Sequence, residues 1–144
     1  MLRAVVLLWV MGIGLAEARF ATRDDAPVEY AFYNRDIVVY KDGRSEENIA
    51  YQVDIKNEQG RAGYATKIFR YNGNIQTLEV LDAETIVNGQ RFPVPKDTIE
   101  VKPLASPEHG FDQGYQVMVS YPNVVVGASI TMKYRLITKQ QPLP

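Results

Sequence analysis

The chain of 144 residues contains one His and no Cys, and that alone narrows the chemistry open to it. A thiol nucleophile is excluded. A Ser-His-acid arrangement would have to use His109. Ser45, Ser106, Ser120 and Ser129 all lie outside the G-x-S-x-G turn that exposes a nucleophilic serine. A zinc centre needs three or four nitrogen or sulfur ligands, more than one His can supply. Asp24-Asp25 falls short of the six or more oxygens that calcium takes, so it is expected in a solvated lead-in. Paired carboxylates of the glycosidase kind stay open in principle, since Glu29, Glu79, Glu84 and Glu100 could approach one another in space. Most of them alternate with apolar residues, however, and so belong on the watered face of strands. No P-loop, dinucleotide fingerprint or EF-hand loop is present. The expectation is a protein that is not an enzyme, with no catalytic residue, no metal and no cofactor.

Binding chemistry is better represented. Nine Tyr and five Phe could stack on a sugar or an extended peptide. Alternation places Tyr51, Tyr115, Tyr121 and Tyr134 on core faces and leaves Tyr30, Tyr33, Phe69 and Tyr71 as exposed candidates. The longest irregular stretch, Pro103 to Gly114, holds Glu108-His109-Gly110-Phe111-Asp112. That sequence is either a recognition loop with an apolar anchor or a turn whose Phe111 plugs the end of the fold. Phe69, Tyr71, His109, Phe111 and Asp112 are therefore the candidate partner-binding residues.

The elements that must position these groups are strands. Ile49, Tyr51, Val53 and Ile55 alternate with Ala50, Gln52, Asp54 and Lys56, a period of two that gives one dry face and one wet one. The segment Tyr115 to Thr138 alternates in both halves, and a connection through Pro122 and Gly127 would make it a hairpin. Val28 to Phe32 and Ile37 to Tyr40 lead into Asp42-Gly43, and Asn88-Gly89 forms a two-residue hairpin turn. Asn57 to Gly60 reads as a turn. Tyr64 to Tyr71 is apolar on both sides, the pattern of a central strand or of an edge that meets a partner. After Leu78 and Val80 the apolar phase slips by one residue, which predicts a β-bulge near Leu81-Asp82. Arg91 to Val94 and Thr98 to Val101 are short extended pieces limited by proline. No helix-period segment of ten or more residues follows the first twenty. The fold class expected is all-β, an antiparallel β-sandwich-like domain over residues 19–138, with residues 139–144 as a linker-like tail.

Residues 1–18 read as a cleaved signal peptide: Arg3 gives a positive start, Ala4 to Leu15 an apolar stretch, and Ala16-Glu17-Ala18 a small-residue cleavage site. Twelve apolar residues reach about 18 Å as a helix, short of the roughly 30 Å of a hydrocarbon core, so no membrane span is expected after processing. Export without cysteine or an N-glycosylation sequon fits a bacterial periplasm best. The net charge is −1, with neither a basic patch nor an acidic run, and nothing favours nucleic acid as a partner.

Several pieces of the chain occur together in a known arrangement. They are Tyr40-Lys41-Asp42-Gly43, Asn57 to Gly60, Tyr71-Asn72, and Leu78 to Glu84 with Asn88-Gly89. The run Ser120-Tyr121-Pro122 through Gly127-Ala128-Ser129-Ile130 to Tyr134-Arg135 completes the set. In this order they resemble the domain of unknown function that precedes a transglutaminase-like domain in many exported bacterial proteins. The resemblance covers roughly Val28 to Thr138. It implies a β-sandwich-like module, with any catalysis in a following domain that carries Cys, His and Asp. Two functional expectations result. One is a non-catalytic envelope domain that binds a partner protein, peptide or glycan. The other is the accessory half of a transglutaminase-like protease or amidase.

Overall fold

The structure, a computed structural model, describes residues 21–104 and 113–139. The expected signal peptide, the loop residues His109, Phe111 and Asp112, and all of the tail but Lys139 lie outside the described residues.

Among the described residues eight strands form two antiparallel sheets. In chain order they are β1 (Val28–Val39), β2 (Ser45–Ile55), β3 (Thr66–Asn72), β4 (Gln76–Val87), β5 (Gln90–Pro93), β6 (Glu100–Pro103), β7 (Gly114–Ser120) and β8 (Ser129–Thr138). The larger sheet runs β1-β2-β8-β4-β5 and the smaller β3-β7-β6. They face each other as a sandwich, as the alternation required. Ile49, Tyr51, Val53 and Ile55 of β2 and Ile130 and Met132 of β8 are buried from the large sheet. Val117 and Val119 of β7, with Tyr121 just beyond it, meet them from the small one. Each fully buried aliphatic side chain contributes about 1.5–3 kcal/mol.

Local sequence sets the joints between strands. At Asn88-Gly89 both residues have positive φ, 49° and 79°, which gives the type I′ turn that two-residue hairpins favour. The register of β4 against β8 shifts between Val80 and Asp82, so Leu81 is the extra residue of a bulge, where the slipped apolar phase placed it. A second register shift lies in β1 between Tyr30 and Phe32. Val28 to Val39 form one strand of 12 residues rather than two apolar pieces.

Two sequence expectations are corrected. Tyr115 to Thr138 is not a hairpin: β7 lies in the small sheet and β8 in the large one, and residues 121–128 cross between them. Gly127, with φ of 88°, donates its N–H to the Ile55 carbonyl at 2.8 Å and anchors that crossing to β2. Asn57 to Gly60 is not a turn but the start of a seven-residue helix, α1 (Glu58–Tyr64). The Asn57 side chain accepts the Gly60 N–H at 3.0 Å and caps it. Tyr64 therefore closes a helix, and the strand that follows starts at Thr66.

Candidate functional site

The sandwich has four sheet edges, and three are guarded. Strands β5 and β6 are four residues long and end in Pro93 and Pro103. Strand β3 has seven residues and carries Lys67 and Arg70. Short length, proline and charge are the usual protections of an open edge. Strand β1 is the longest of the four and the least guarded: its 12 residues carry Glu29, Arg35 and Asp36 but leave large apolar side chains exposed on both faces.

Register assigns those faces. Tyr33, Arg35 and Ile37 stand opposite Tyr51, Ile49 and Glu47, so with Val39 they continue the inner face of the large sheet. Phe32, Asn34, Asp36 and Val38 point the other way. Tyr33, Ile37 and Val39 are 53%, 50% and 72% exposed, and Phe32 and Val38 are also open to solvent. The near end of this surface is ordered by tyrosines. Tyr33 stacks on Tyr51 with ring centroids 6.1 Å apart, and Tyr30 meets both rings edge-on. Burial, aided by the neighbouring Tyr64 hydroxyl, pushes the Tyr30 hydroxyl up to about 12. Arg35 forms a forked pair with Glu47 at 2.7 and 3.0 Å, and that carboxylate pushes the guanidinium above its ordinary value. Asp36 makes no ion pair or hydrogen bond through its side chain among the described residues.

A second feature lies on the outer face of the large sheet. Phe32, Gln52, Thr131, Glu84 and Pro93 stand side by side, one from each of its five strands. In the next row Lys133 stands opposite Asp82 in the strand register. Phe32, Gln52, Asp82, Glu84, Thr131 and Lys133, with Ile86 and Arg91, line an open cleft of about 210 Å³. Glu84 is 9% exposed and is held by Arg91. Gln52 donates to Asp54, which accepts also from the Ser129 hydroxyl at 2.6 Å.

The residues proposed from sequence fall elsewhere. Phe69 and Tyr71 are not exposed: both are half-buried against the core, Phe69 on Tyr134 and Tyr71 stacked on Tyr115 at 5.6 Å. Ile68, with Thr66 and Arg70, is on the exposed face of β3. Of the exposed aromatic candidates, Tyr30 and Tyr33 are open to solvent. Glu29, Glu84 and Glu100 are each bound to a cation, Glu29 to Arg23 and Lys56, Glu84 to Arg91 and Glu100 to Lys102. Sequence reasoning missed β1 because its two apolar groups were separated by Asn34-Arg35-Asp36. The usable signal was the same two-sided apolarity that drew attention to Tyr64–Tyr71. Among the described residues no cluster of His, Cys, Asp or Glu could hold a metal ion, and no helix is long and apolar enough to cross a membrane.

Two stacked antiparallel sheets define a β-sandwich domain. The DUF3857 family, a domain of unknown function with solved structure, matches residues 41–144, and the chain belongs to that family. The matched span begins just after β1. No curated protein matches the chain. Among solved structures it is similar to a protein of Parabacteroides distasonis provisionally assigned as a protease, with a TM-score of 0.73 and 20% identity. That likeness covers 82% of this chain and only 24% of the other. The CBM3a-L domain of the scaffoldin cipA of the Clostridium thermocellum cellulosome has a TM-score of 0.41 and 12% identity over 78% of this chain and 68% of its own. At that level the likeness extends no further than stacked sheets.

Proposed function

We propose that this chain is a non-catalytic binding domain of an exported bacterial protein, and that it receives an extended polypeptide strand along β1. The observation that carries this reading is the contrast among the four edges. Three are four to seven residues long, whereas β1, though it carries Glu29, Arg35 and Asp36, offers 12 residues of backbone with large apolar side chains exposed above and below. Unpaired backbone groups on such an edge are satisfied by another strand, and alternate side chains then read the partner. The surface also states what the partner should look like. Ile37, Val38 and Val39 call for apolar residues on both faces, and the unpaired Asp36 carboxylate calls for a Lys or Arg beside it.

A photo-cross-linking residue placed at Ile37 and, separately, at Val38 tests this in the bacterial envelope. These positions point to opposite faces, so a docked strand yields cross-links from both to one short segment of one polypeptide. Cross-links that scatter over unrelated proteins, or their absence from both positions, would sink the reading.

A second reading is supported by the likeness to one quarter of a larger protein provisionally assigned as a protease. It makes the partner another domain of the same polypeptide, transglutaminase-like in kind, with this chain as its accessory half. The same cross-links then fall within one polypeptide rather than between two.

A further inference from the structure

The outer-face cleft holds polar groups that the fold does not use. The Asp82 carboxylate, the Thr131 hydroxyl and the Lys133 ammonium make no side-chain hydrogen bond or ion pair among the described residues. The Gln52 carbonyl is likewise open, since only its amide nitrogen is engaged, with Asp54. These groups occupy two successive rows of the sheet, Gln52 and Thr131 in one and Lys133 and Asp82 in the next, on neighbouring strands about 4.8 Å apart. Donors and acceptors therefore lie side by side on the cleft floor, a patch suited to a ligand that carries several hydroxyls.

Charge narrows the class further. Two carboxylates, Asp82 and Glu84, and two cations, Arg91 and Lys133, line the cleft, so their formal charges cancel. A phosphate or uronate would lie against the carboxylates, and a polyamine against the cations, each at a cost in repulsion. Phe32 closes one end of the row with an exposed aromatic ring, a surface on which the apolar face of a sugar ring can lie. The volume of about 210 Å³ is below the ~300 Å³ at which pockets begin to enclose drug-sized molecules, so only part of a longer occupant is seated in it.

We infer that this cleft binds a neutral saccharide lying across the strands. Phe32 stacks on one ring, while Gln52, Asp82, Thr131 and Lys133 bond its hydroxyls. The site shares Phe32 with the strand-docking edge, but its polar groups lie on β2, β4 and β8, which a strand added beside β1 leaves open, so either inference can fail without the other.

Titration of the isotope-labelled full chain with cellotetraose tests this, with an oligogalacturonate as the anionic counterpart. The expected result is saturable shifts of the Gln52, Thr131 and Lys133 amides by about 10 mM cellotetraose. Thr131→Val and Gln52→Ala should each weaken binding about fivefold. Each variant first has to show an unchanged amide spectrum away from the cleft, and Gln52→Ala serves if Thr131→Val disturbs the fold. Shifts that map outside the cleft, or none at all, overturn the inference. So does a preference for the uronate oligomer.

Discussion

The Phe69 ring lies 4.6 Å, centroid to centroid, from that of Tyr134, so that an edge strand of the small sheet rests on the central strand of the large one. This contact makes Phe69 a closure of the sandwich. Full burial of a Phe is worth about 3–5 kcal/mol on truncation to Ala, and a half-buried ring about half of that. Phe69→Ala should therefore lower unfolding stability by about 2 kcal/mol, and Phe69→Leu by less. Urea denaturation followed by tyrosine fluorescence measures both. An unchanged midpoint for Phe69→Ala would show that the ring is not part of the joint.

Thr85 is an internal conflict. It is fully buried on β4, between Ile130 of β8 and Phe92 of β5, and its hydroxyl has no hydrogen-bond partner. An unsatisfied buried hydroxyl costs about 1–3 kcal/mol, and valine has nearly the same shape. Thr85→Val should raise the melting temperature, with a gain of about 1 kcal/mol in stability. A loss would mean that the hydroxyl is solvated or bonded in the protein, and would remove the conflict.

Much of this fold could be read from local pattern. The alternation of Ile49 to Ile55 set the buried face of β2, Asn88-Gly89 set a hairpin, and the slipped phase after Val80 located the bulge at Leu81. What could not be read is non-local. Alternation in Tyr115–Tyr121 and Ser129–Thr138 says that each strand has a dry face, but not that the two dry faces look at each other from opposite sheets. Phe69 and Tyr33 show the same limit at the candidate site. Both sit in strands with apolar residues on two sides, and only the place where the small sheet stops decides that Phe69 is covered and Tyr33 is open. Helix α1 was illegible for a different reason. Seven residues with two glycines carry little helical propensity, and Asn57 as a cap was its one local sign.

Gly60 sets two effects against each other. Within α1, Ala in place of Gly would favour the helix by roughly 1 kcal/mol. A Cβ at Gly60, however, would sit 2.0 Å from the Pro27 carbonyl oxygen, which also accepts the Lys56 N–H at 3.0 Å. Backbone on both sides of that clash has little room to yield, and overpacking of this kind costs about 1–3 kcal/mol. Sterics should win, so Gly60→Ala destabilises. Gly63→Ala, where a Cβ meets nothing within 4 Å, should stabilise slightly. Thermal melts of the two variants should move in opposite directions, and a shared sign would refute the steric account.

The tyrosines predict how the domain fails in alkali. In an unfolded chain a tyrosine hydroxyl ionises near pH 10. In the folded chain burial, reinforced by neighbouring tyrosines, holds Tyr51 and Tyr121 protonated well above that range, and Tyr30 is pushed up to about 12. Between pH 10 and those higher values the folded state keeps protons that the unfolded state has lost. Stability is then fully present below pH 10 and falls as pH rises through the folded-state values. Tyr121→Phe separates this from general alkaline damage. The Tyr121 hydroxyl donates to the Thr131 carbonyl at 3.1 Å, so its removal should cost about 1 kcal/mol at pH 8. Phenylalanine has no proton to lose, so the same variant should show a shallower loss of stability from pH 10 to 12. Urea midpoints across that range decide the matter: equal slopes for the two chains would mean that Tyr121 contributes nothing to the alkaline limit.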